Sequence, residues 1–153
     1  MAFATHILIP TDFSDASHLA IDAGGMLATQ LGAKVTLVHV HDPDALHPPA
    51  TIGWSPKQQT DLDAEITGAV AKGLEDLRTS RLKANDDVDT VVLHDPSASQ
   101  AICKYAERIG ADLIVIATHG RTGLKHLLIG SVAERVVRHA KMPVLTLRST
   151  AED

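Results

Sequence analysis

Residues 113–133 read LIVIATHGRTGLKHLLIGSVA and combine an apolar run with glycine-containing turns. The first five residues, LIVIA, predict a buried strand. A loop that contains Gly120 follows, and the pair Gly130-Ser131 stands where a helix is expected to begin. A strand, a glycine-containing loop and a helix start can form an anion site, because the first N–H groups of a helix have no intrahelical acceptor. This stretch therefore predicts a phosphate site.

The charge of the same stretch is opposite in sign to that of the whole chain. The 153 residues include 14 Lys and Arg against 19 Asp and Glu, which gives a formal net charge of −5. Residues 113–133 contain no Asp or Glu but do contain His119, Arg121, Lys125 and His126. A local excess of positive charge attracts an anionic ligand, so we expect the phosphate to belong to a nucleotide.

Composition limits the class of protein. A chain of 153 residues predicts one domain, residues 1–153. Its 44% hydrophobic and 22% charged residues are typical of soluble globular proteins, and its acidic balance argues against nucleic-acid binding. The single cysteine, Cys103, cannot form an internal disulfide and is expected to be a small core residue. Without a signal-peptide pattern or about 18 consecutive apolar residues, we expect a cytoplasmic protein with no membrane partner.

Short apolar runs alternate with helical patterns along the chain, which predicts parallel strands joined by crossover helices. Right-handed crossovers cover both faces of such a sheet, so the fold class is α/β, a doubly wound five-stranded parallel sheet. The segment 42–56 holds four of the seven prolines and predicts an irregular flap, in which Trp54 is either a surface plug or a lid. The predicted strands are 6–10, 34–41, 90–94, 113–117 and 143–147; the predicted helices are 16–31, 57–83, one from Asp95-Pro96 to Gly110, and 131–139.

Doubly wound sheets bind ligands beyond the carboxyl ends of their strands, where the strand order reverses. This places Asp12, the flap after Val40 and the loop after Ala117 on one rim, although the pattern alone leaves open which strands are adjacent. Asp12 is either a turn residue or a hydrogen-bond acceptor for ribose hydroxyls, since an ionised carboxylate only accepts.

The start of the last helix has a second interpretation. Ser131 and Glu134 have the spacing of a capping box, in which the serine hydroxyl would accept a backbone N–H of its own helix. A cap and a phosphate contact can coexist at one helix start. Neither GxxxxGK[ST] nor GxGxxG occurs, so the general nucleotide motifs do not apply.

Four segments, in order, resemble the universal stress protein family. Its nucleotide-binding members carry glycine, two residues, glycine, nine residues, then glycine followed by serine or threonine. Here Ala117 replaces the first glycine, whereas Gly120, Gly130 and Ser131 match. The other similar segments are ILIPTDFS at 7–14, LVHV at 37–40, and SVAERV at 131–136 with PVL at 143–145.

The resemblance implies strand order 3-2-1-4-5, an adenine nucleotide (ATP, with or without Mg²⁺) and a homodimer formed through strand 143–148. A dimer would also cover an apolar edge strand, which otherwise favours aggregation. No Ser-His-Asp set or carboxylate pair stands out, so a switch is expected rather than a fast enzyme. The implied nucleotide-binding residues are Pro10, Thr11, Asp12 at the ribose, Val40 and Ile116 at the adenine, Ala117, and Gly120, Gly130, Ser131 and Val132 at the phosphates.

Three alternatives stay open. Replacement of a motif glycine by Ala117 favours a nucleotide-free interaction module on the same fold. Asp12, Asp95 and Thr118 stand where a phospho-acceptor receiver domain has functional groups, although Phe13 replaces its second acid and no Lys-Pro pair follows strand five. His39 and His41 share one face of the second strand and His47 follows it, which invites a metal site, but no cysteine or tight carboxylate partner accompanies them.

Overall fold

The structure is a computed structural model that describes residues 3–46, 53–119 and 129–149. Strands and helices alternate through these ranges. The strands are β1 His6–Pro10, β2 Lys34–His41, β3 Val88–His94, β4 Leu113–Ala117 and β5 Val144–Leu147; the helices are α1 Asp15–Leu31, α2 Pro56–Arg81, α3 Ala98–Ile109 and α4 Ser131–His139; a short 3-10 helix covers Pro43–Leu46.

The five strands form one parallel sheet in the order β3-β2-β1-β4-β5, which confirms the predicted order. The central strand β1 is paired on both sides, with Ile7 opposite Val35 of β2 and Leu113 of β4. From β1 the chain adds β2 and β3 on one side, then crosses to add β4 and β5 on the other. The order therefore reverses between β1 and β4, where a doubly wound sheet opens a crevice.

Successive residues of β1 enter two separate cores. Ile7 and Ile9 pack with buried side chains of α1 and α2, whereas Leu8 packs with buried side chains of α3 and α4. All three are fully buried, and burying a side chain of this size stabilises the fold by roughly 1.5–3 kcal/mol. Helices thus cover both faces of the sheet, as predicted. Cys103 is 8% exposed in the second core, where burial and the nearby Glu107 raise the pKa of its thiol.

Asp112 attaches the start of β1 to the start of β4. Its carboxylate accepts the backbone N–H groups of Thr5 and His6 at 3.0–3.1 Å and the Thr5 hydroxyl at 2.9 Å. Burial by itself would raise the pKa of Asp112, but these donors outweigh it and hold the pKa below the ordinary value of 3.8.

Several predicted boundaries were wrong by one to three residues. The largest error concerns α3, which was predicted to start at Asp95-Pro96 and starts at Ala98. The Asp95 carboxylate accepts the N–H of Ser97 at 2.7 Å, and this local hydrogen bond holds the chain in a turn before the helix. Within the flap, Trp54 is 39% exposed.

The described residues include no helix that is both long enough and apolar enough to span a membrane.

Candidate functional site

A cleft of about 260 Å³ opens at the carboxyl ends of β1, β2 and β4, where the strand order reverses. Its wall comes from the three strand ends, the turn after β1, and the starts of α3 and α4. The residues that line it are Pro10, Thr11, Asp12, Ser17, Val38, His39, Val40, Ala98, Ile102, Ile116, Ala117, Thr118, His119, Gly130, Ser131, Val132 and Ala133.

The structure brings together nine of the ten residues that the sequence assigned to a nucleotide. The tenth, Gly120, lies outside the described residues, as do Arg121, Lys125 and His126. The nine that line the cleft are Pro10, Thr11, Asp12, Val40, Ile116, Ala117, Gly130, Ser131 and Val132.

Local hydrogen bonds hold Asp12 at the rim. The backbone N–H of Thr11 donates to the Val38 carbonyl at 2.9 Å, which extends the contact between β1 and β2 by one residue. The Asp12 carboxylate then accepts the N–H of Ser14 at 3.0 Å and also the Ser14 hydroxyl. Ser14 in turn is the N-cap of α1, because its hydroxyl oxygen accepts the N–H of Ser17 at 3.2 Å. The acidic group is therefore fixed by the turn and by the helix start.

Phe13 has an unusual backbone conformation within this turn. Its φ of +65° lies in the left-handed region, which costs a residue with a Cβ about 1–2 kcal/mol. The Phe13 N–H donates to the Thr11 hydroxyl at 3.0 Å, and the ring lies 5.0 Å from the ring of His39, centroid to centroid. His39 donates from Nδ1 to the Thr11 carbonyl at 2.8 Å, since a carbonyl can only accept. These contacts hold the strained turn in one conformation.

The start of α4 lies against the end of β4. The N–H of Gly130 donates to the Thr118 carbonyl, and a Cβ at position 130 would lie only 2.8 Å from that oxygen. Glycine is needed here for close approach rather than for its φ, which is −56°. The residues from Ser131 onward line the cleft, and their N–H groups are the first of the helix, at the positive end of its dipole. This edge suits an anion.

The alternative interpretation of Ser131 and Glu134 as a capping box is wrong. The N-cap of α4 is Gly130, and no side chain at this position forms a capping hydrogen bond. Ser131 is the first helical residue, and the Glu134 carboxylate binds Arg138 at 2.7 Å instead of reaching back. The Ser131 side chain is exposed and lines the cleft.

The opposite wall of the cleft is apolar. Val38 and Val40 of β2, Ile116 of β4 and Ile102 of α3 present aliphatic groups to it, and Ala98 adds a small one. Such a wall fits a flat, weakly polar ring. The sequence missed the contributions of α3 because Ala98 and Ile102 have the helical spacing of ordinary core residues. Their position in the chain could have indicated that they line the cleft, because both fall in the first turns of a helix that starts at the same rim.

The two histidines at the end of β2 make different contacts. His39 lines the cleft, whereas His41 is 8% exposed and its Nε2 lies 3.3 Å from a carboxylate oxygen of Asp63 on α2. His47 lies outside the described residues. In the part of the chain that the structure describes, no group of three or more His, Cys, Asp or Glu side chains is placed to hold a metal ion.

The strand order argues against the receiver hypothesis. A receiver-type sheet has the order 2-1-3-4-5, in which β3 lies next to β1. Here β3 is the edge strand beyond β2, so Asp95 at its end is separated from Asp12 by a whole strand. The Asp95 carboxylate is bound to the N–H of Ser97.

Comparison with known proteins identifies relatives along nearly the whole chain. A sequence model of the universal stress protein family matches residues 4–148. Universal stress protein MJ0531 of Methanocaldococcus jannaschii is 33% identical over 150 residues, covering 96% of this chain and 84% of that protein. Universal stress protein MJ0577 of the same organism is 29% identical over 153 residues, covering 93% of each chain.

Solved structures agree with these relatives. The structure of MJ0577 superposes with a TM-score of 0.82 at 26% identity and covers 99% of this chain and 100% of that one. The universal stress protein from Archaeoglobus fulgidus in complex with dAMP gives a TM-score of 0.62 at 20% identity, covering 95% and 98% of the two chains. At that identity the second match shows the shared fold alone.

Proposed function

Since the chain belongs to the universal stress protein family, we propose that it binds ATP or a related adenine nucleotide in the cleft at the ends of β1, β2 and β4. The observation that carries the proposal is the arrangement of three different surfaces around one cavity. The start of α4 would hold the phosphates, Asp12 would accept ribose hydroxyls, and the wall formed by Val40 and Ile116 would contact the adenine. The dAMP complex of the A. fulgidus protein supports this class of ligand on this fold.

The phosphate end depends on backbone N–H groups more than on side chains. Ser131, Val132 and Ala133 line the cleft at the start of α4, and helix starts bind phosphate through such groups. Gly130 allows this helix start to lie close to β4. Ala117 is the smallest side chain that could replace the family's first glycine, and it lines the cleft beside Ile116 without filling it.

A switch is a better description of this site than a fast enzyme. Asp12 is the one carboxylate among the described residues that line the cleft, so these residues form no carboxylate pair of the kind that shares acid and base roles in a hydrolase. Mg²⁺ binds mostly to phosphate oxygens and water in such sites, and any hydrolysis would be slow. Binding of the nucleotide would then act by changing the conformation of the protein. We expect the protein to do so in the cytoplasm, as a homodimer joined through strand 143–148.

Thermal unfolding with and without Mg-ATP tests nucleotide binding. A ligand present at 100 times its Kd stabilises the folded state by about 2.7 kcal/mol, so millimolar Mg-ATP should raise the Tm by several degrees. Inorganic phosphate and Mg²⁺ alone serve as controls for nonspecific anion effects. An unchanged Tm at millimolar ATP, ADP and AMP would contradict the proposal.

Asp12→Asn tests the ribose contact. The substitution removes the charge and one acceptor while keeping an oxygen for the Ser14 N–H, so we expect about a tenfold loss of ATP affinity, near 1.4 kcal/mol. Asp15→Asn is the matched control, because Asp15 lies three residues away, is fully exposed and does not line the cleft. Isothermal titration should show the loss for the first variant and not for the second. Equal affinities would show that Asp12 serves only the turn.

A second function is favoured by Ala117, which stands where nucleotide-binding members have glycine. Under this second hypothesis the protein has the same fold but is an interaction module whose cleft binds no nucleotide. Both hypotheses predict a folded protein, but only the first predicts nucleotide that co-purifies or shifts the Tm. Ala117→Gly separates them further, since restored binding would identify the methyl group as the cause of a missing site.

A further inference from the structure

We propose that helix α2 regulates the nucleotide cleft through Phe13, which transmits the position of the helix at Gly73 to the turn that holds Asp12. The inference rests on the proposed function, because it concerns the affinity of that same cleft. Neither Phe13 nor Gly73 lines the cleft, so both would act on the ligand as positioning residues.

The Phe13 ring lies between β2 and α2. On one side it stacks at a tilt against His39, with ring centroids 5.0 Å apart. On the other side it faces Gly73, where a Cβ would lie 3.0 Å from the ring carbon Cε1 and 3.4 Å from Cζ. A contact of 3.0 Å is closer than carbon atoms normally approach, so the absence of a side chain at position 73 is what gives the ring its place.

A shift of this ring must be felt at Asp12, because the two residues are neighbours in a turn with little freedom. Phe13 already has a φ of +65°. Its N–H is bound to the Thr11 hydroxyl, and the next N–H, from Ser14, is bound to the Asp12 carboxylate. His39, the other partner of the ring, binds the Thr11 carbonyl. A displacement of the ring therefore acts on the turn both directly and through His39.

The most deeply buried position of helix α2 lies next to Gly73. The helix spans 26 residues, and Leu74 is its one fully buried side chain. Leu74 is also the neighbour of Gly73, so the helix is anchored most firmly close to the ring contact, while the rest of its inner face is half-buried against β2 and β3. Coupling between two sites is reciprocal. Nucleotide in the cleft should therefore also change the stability of α2. The exposed surface of this helix would then differ between the nucleotide-bound and the nucleotide-free protein.

Gly73→Ala tests the coupling without touching the cleft. Alanine is the better helix former, so the substitution favours α2 but forces the Phe13 ring to move. We expect at least about fivefold weaker ATP binding, in the range of ordinary coupling between sites. Gly68→Ala is the matched control, because it makes the same change on the same helix and its Cβ would meet nothing within 4 Å. It should leave the affinity unchanged.

A second variant shows whether Phe13 carries the effect. Phe13→Leu removes the atoms that the new Cβ would touch, so the double variant Phe13→Leu with Gly73→Ala should bind ATP no more weakly than Phe13→Leu alone. Such non-additivity is the signature of a direct contact. Additive losses would overturn the inference.

The outcomes separate this inference from the proposed function. If the wild-type protein binds ATP and Gly73→Ala binds it as tightly as Gly68→Ala does, the coupling is absent and the nucleotide site stands. If the wild-type protein binds no nucleotide, both proposals fail together. Hydrogen exchange in the wild-type protein provides a measurement that needs no variant: saturating ATP should slow amide exchange around Gly73, and unchanged exchange there would overturn the coupling.

Discussion

Asp112 is a single residue whose charge state should control the attachment of β1 to β4. In the unfolded chain its carboxyl group titrates at the ordinary value near 3.8, whereas in the folded protein the donors of Thr5 and His6 lower its pKa. A lowered pKa contributes stability above the unfolded value, and that stability is lost as the pH falls through the folded value. Asp112 should therefore stabilise the protein at neutral pH and not in strong acid.

Asp112→Asn measures this contribution. At pH 7 the variant should lose about 1 kcal/mol of unfolding free energy, a modest value because the group is partly exposed. Chemical denaturation repeated at lower pH should show the difference shrinking below about pH 4, as the wild-type carboxyl is protonated. Asp86→Asn, in the exposed turn before β3, should show no comparable loss. A gap that persists unchanged into strong acid would mean that packing, not charge, is responsible.

Among the elements, the starts of helices α1 and α4 make opposite predictions for the same residue type. Ser14 caps α1 through its hydroxyl, so Ser14→Ala should cost about 1 kcal/mol. Ser131 makes no cap bond in α4, so Ser131→Ala should change the unfolding free energy by no more than about 0.5 kcal/mol. Denaturant titration of the two variants tests this contrast. If Ser131→Ala lost 1 kcal/mol or more of unfolding free energy, the capping-box interpretation of Ser131 would be correct after all.

The sequence predicted the elements well wherever periodicity decided them. The strands are apolar runs, and β1, β2 and β4 ended at the predicted residues, which placed Asp12, Val40 and Ala117 on one rim. The starts of α3 and α4 were less predictable because single hydrogen bonds decide them. Asp95 binds the N–H of Ser97, and Glu134 binds Arg138 instead of forming a capping box with Ser131. No spacing rule distinguishes such competing partners.

The strand order could not be derived from the pattern of elements alone, because βαβ units of the same length fit more than one order. The family resemblance supplied it. The contribution of α3 to the cleft was missed for a related reason. Ile102 faces both the core and the cavity, and its place in the helical spacing of apolar residues indicates only that it faces inward. Phe13 also gave no signal, since a left-handed conformation at a phenylalanine is set by its surroundings.

At the scale of the whole molecule, the two edges of the sheet differ in a way that favours assembly at one of them. The β3 edge carries charge, because Asp89 is exposed and binds Lys34 at 2.7 Å. The β5 edge, Val144–Leu147, has the sequence VLTL and contains no charged residue. Leu145 is 41% exposed there. Charged edges resist strand pairing, whereas apolar edges favour it, so a homodimer should form at β5.

Leu145→Lys tests this assembly, because it places a charge on the β5 edge without disturbing a buried side chain. Two copies would bring two ammonium groups together across a twofold axis, so the variant should sediment as a monomer at concentrations where the wild-type protein sediments as a dimer. Ala69→Lys is the control: Ala69 is exposed on α2, which packs on β2 and β3 toward the opposite edge, and this variant should remain dimeric. Circular dichroism should confirm that both are folded. A folded Leu145→Lys protein that still sediments as a dimer would show that the copies meet through another surface, and a monomeric wild-type protein would show that β5 remains an open edge.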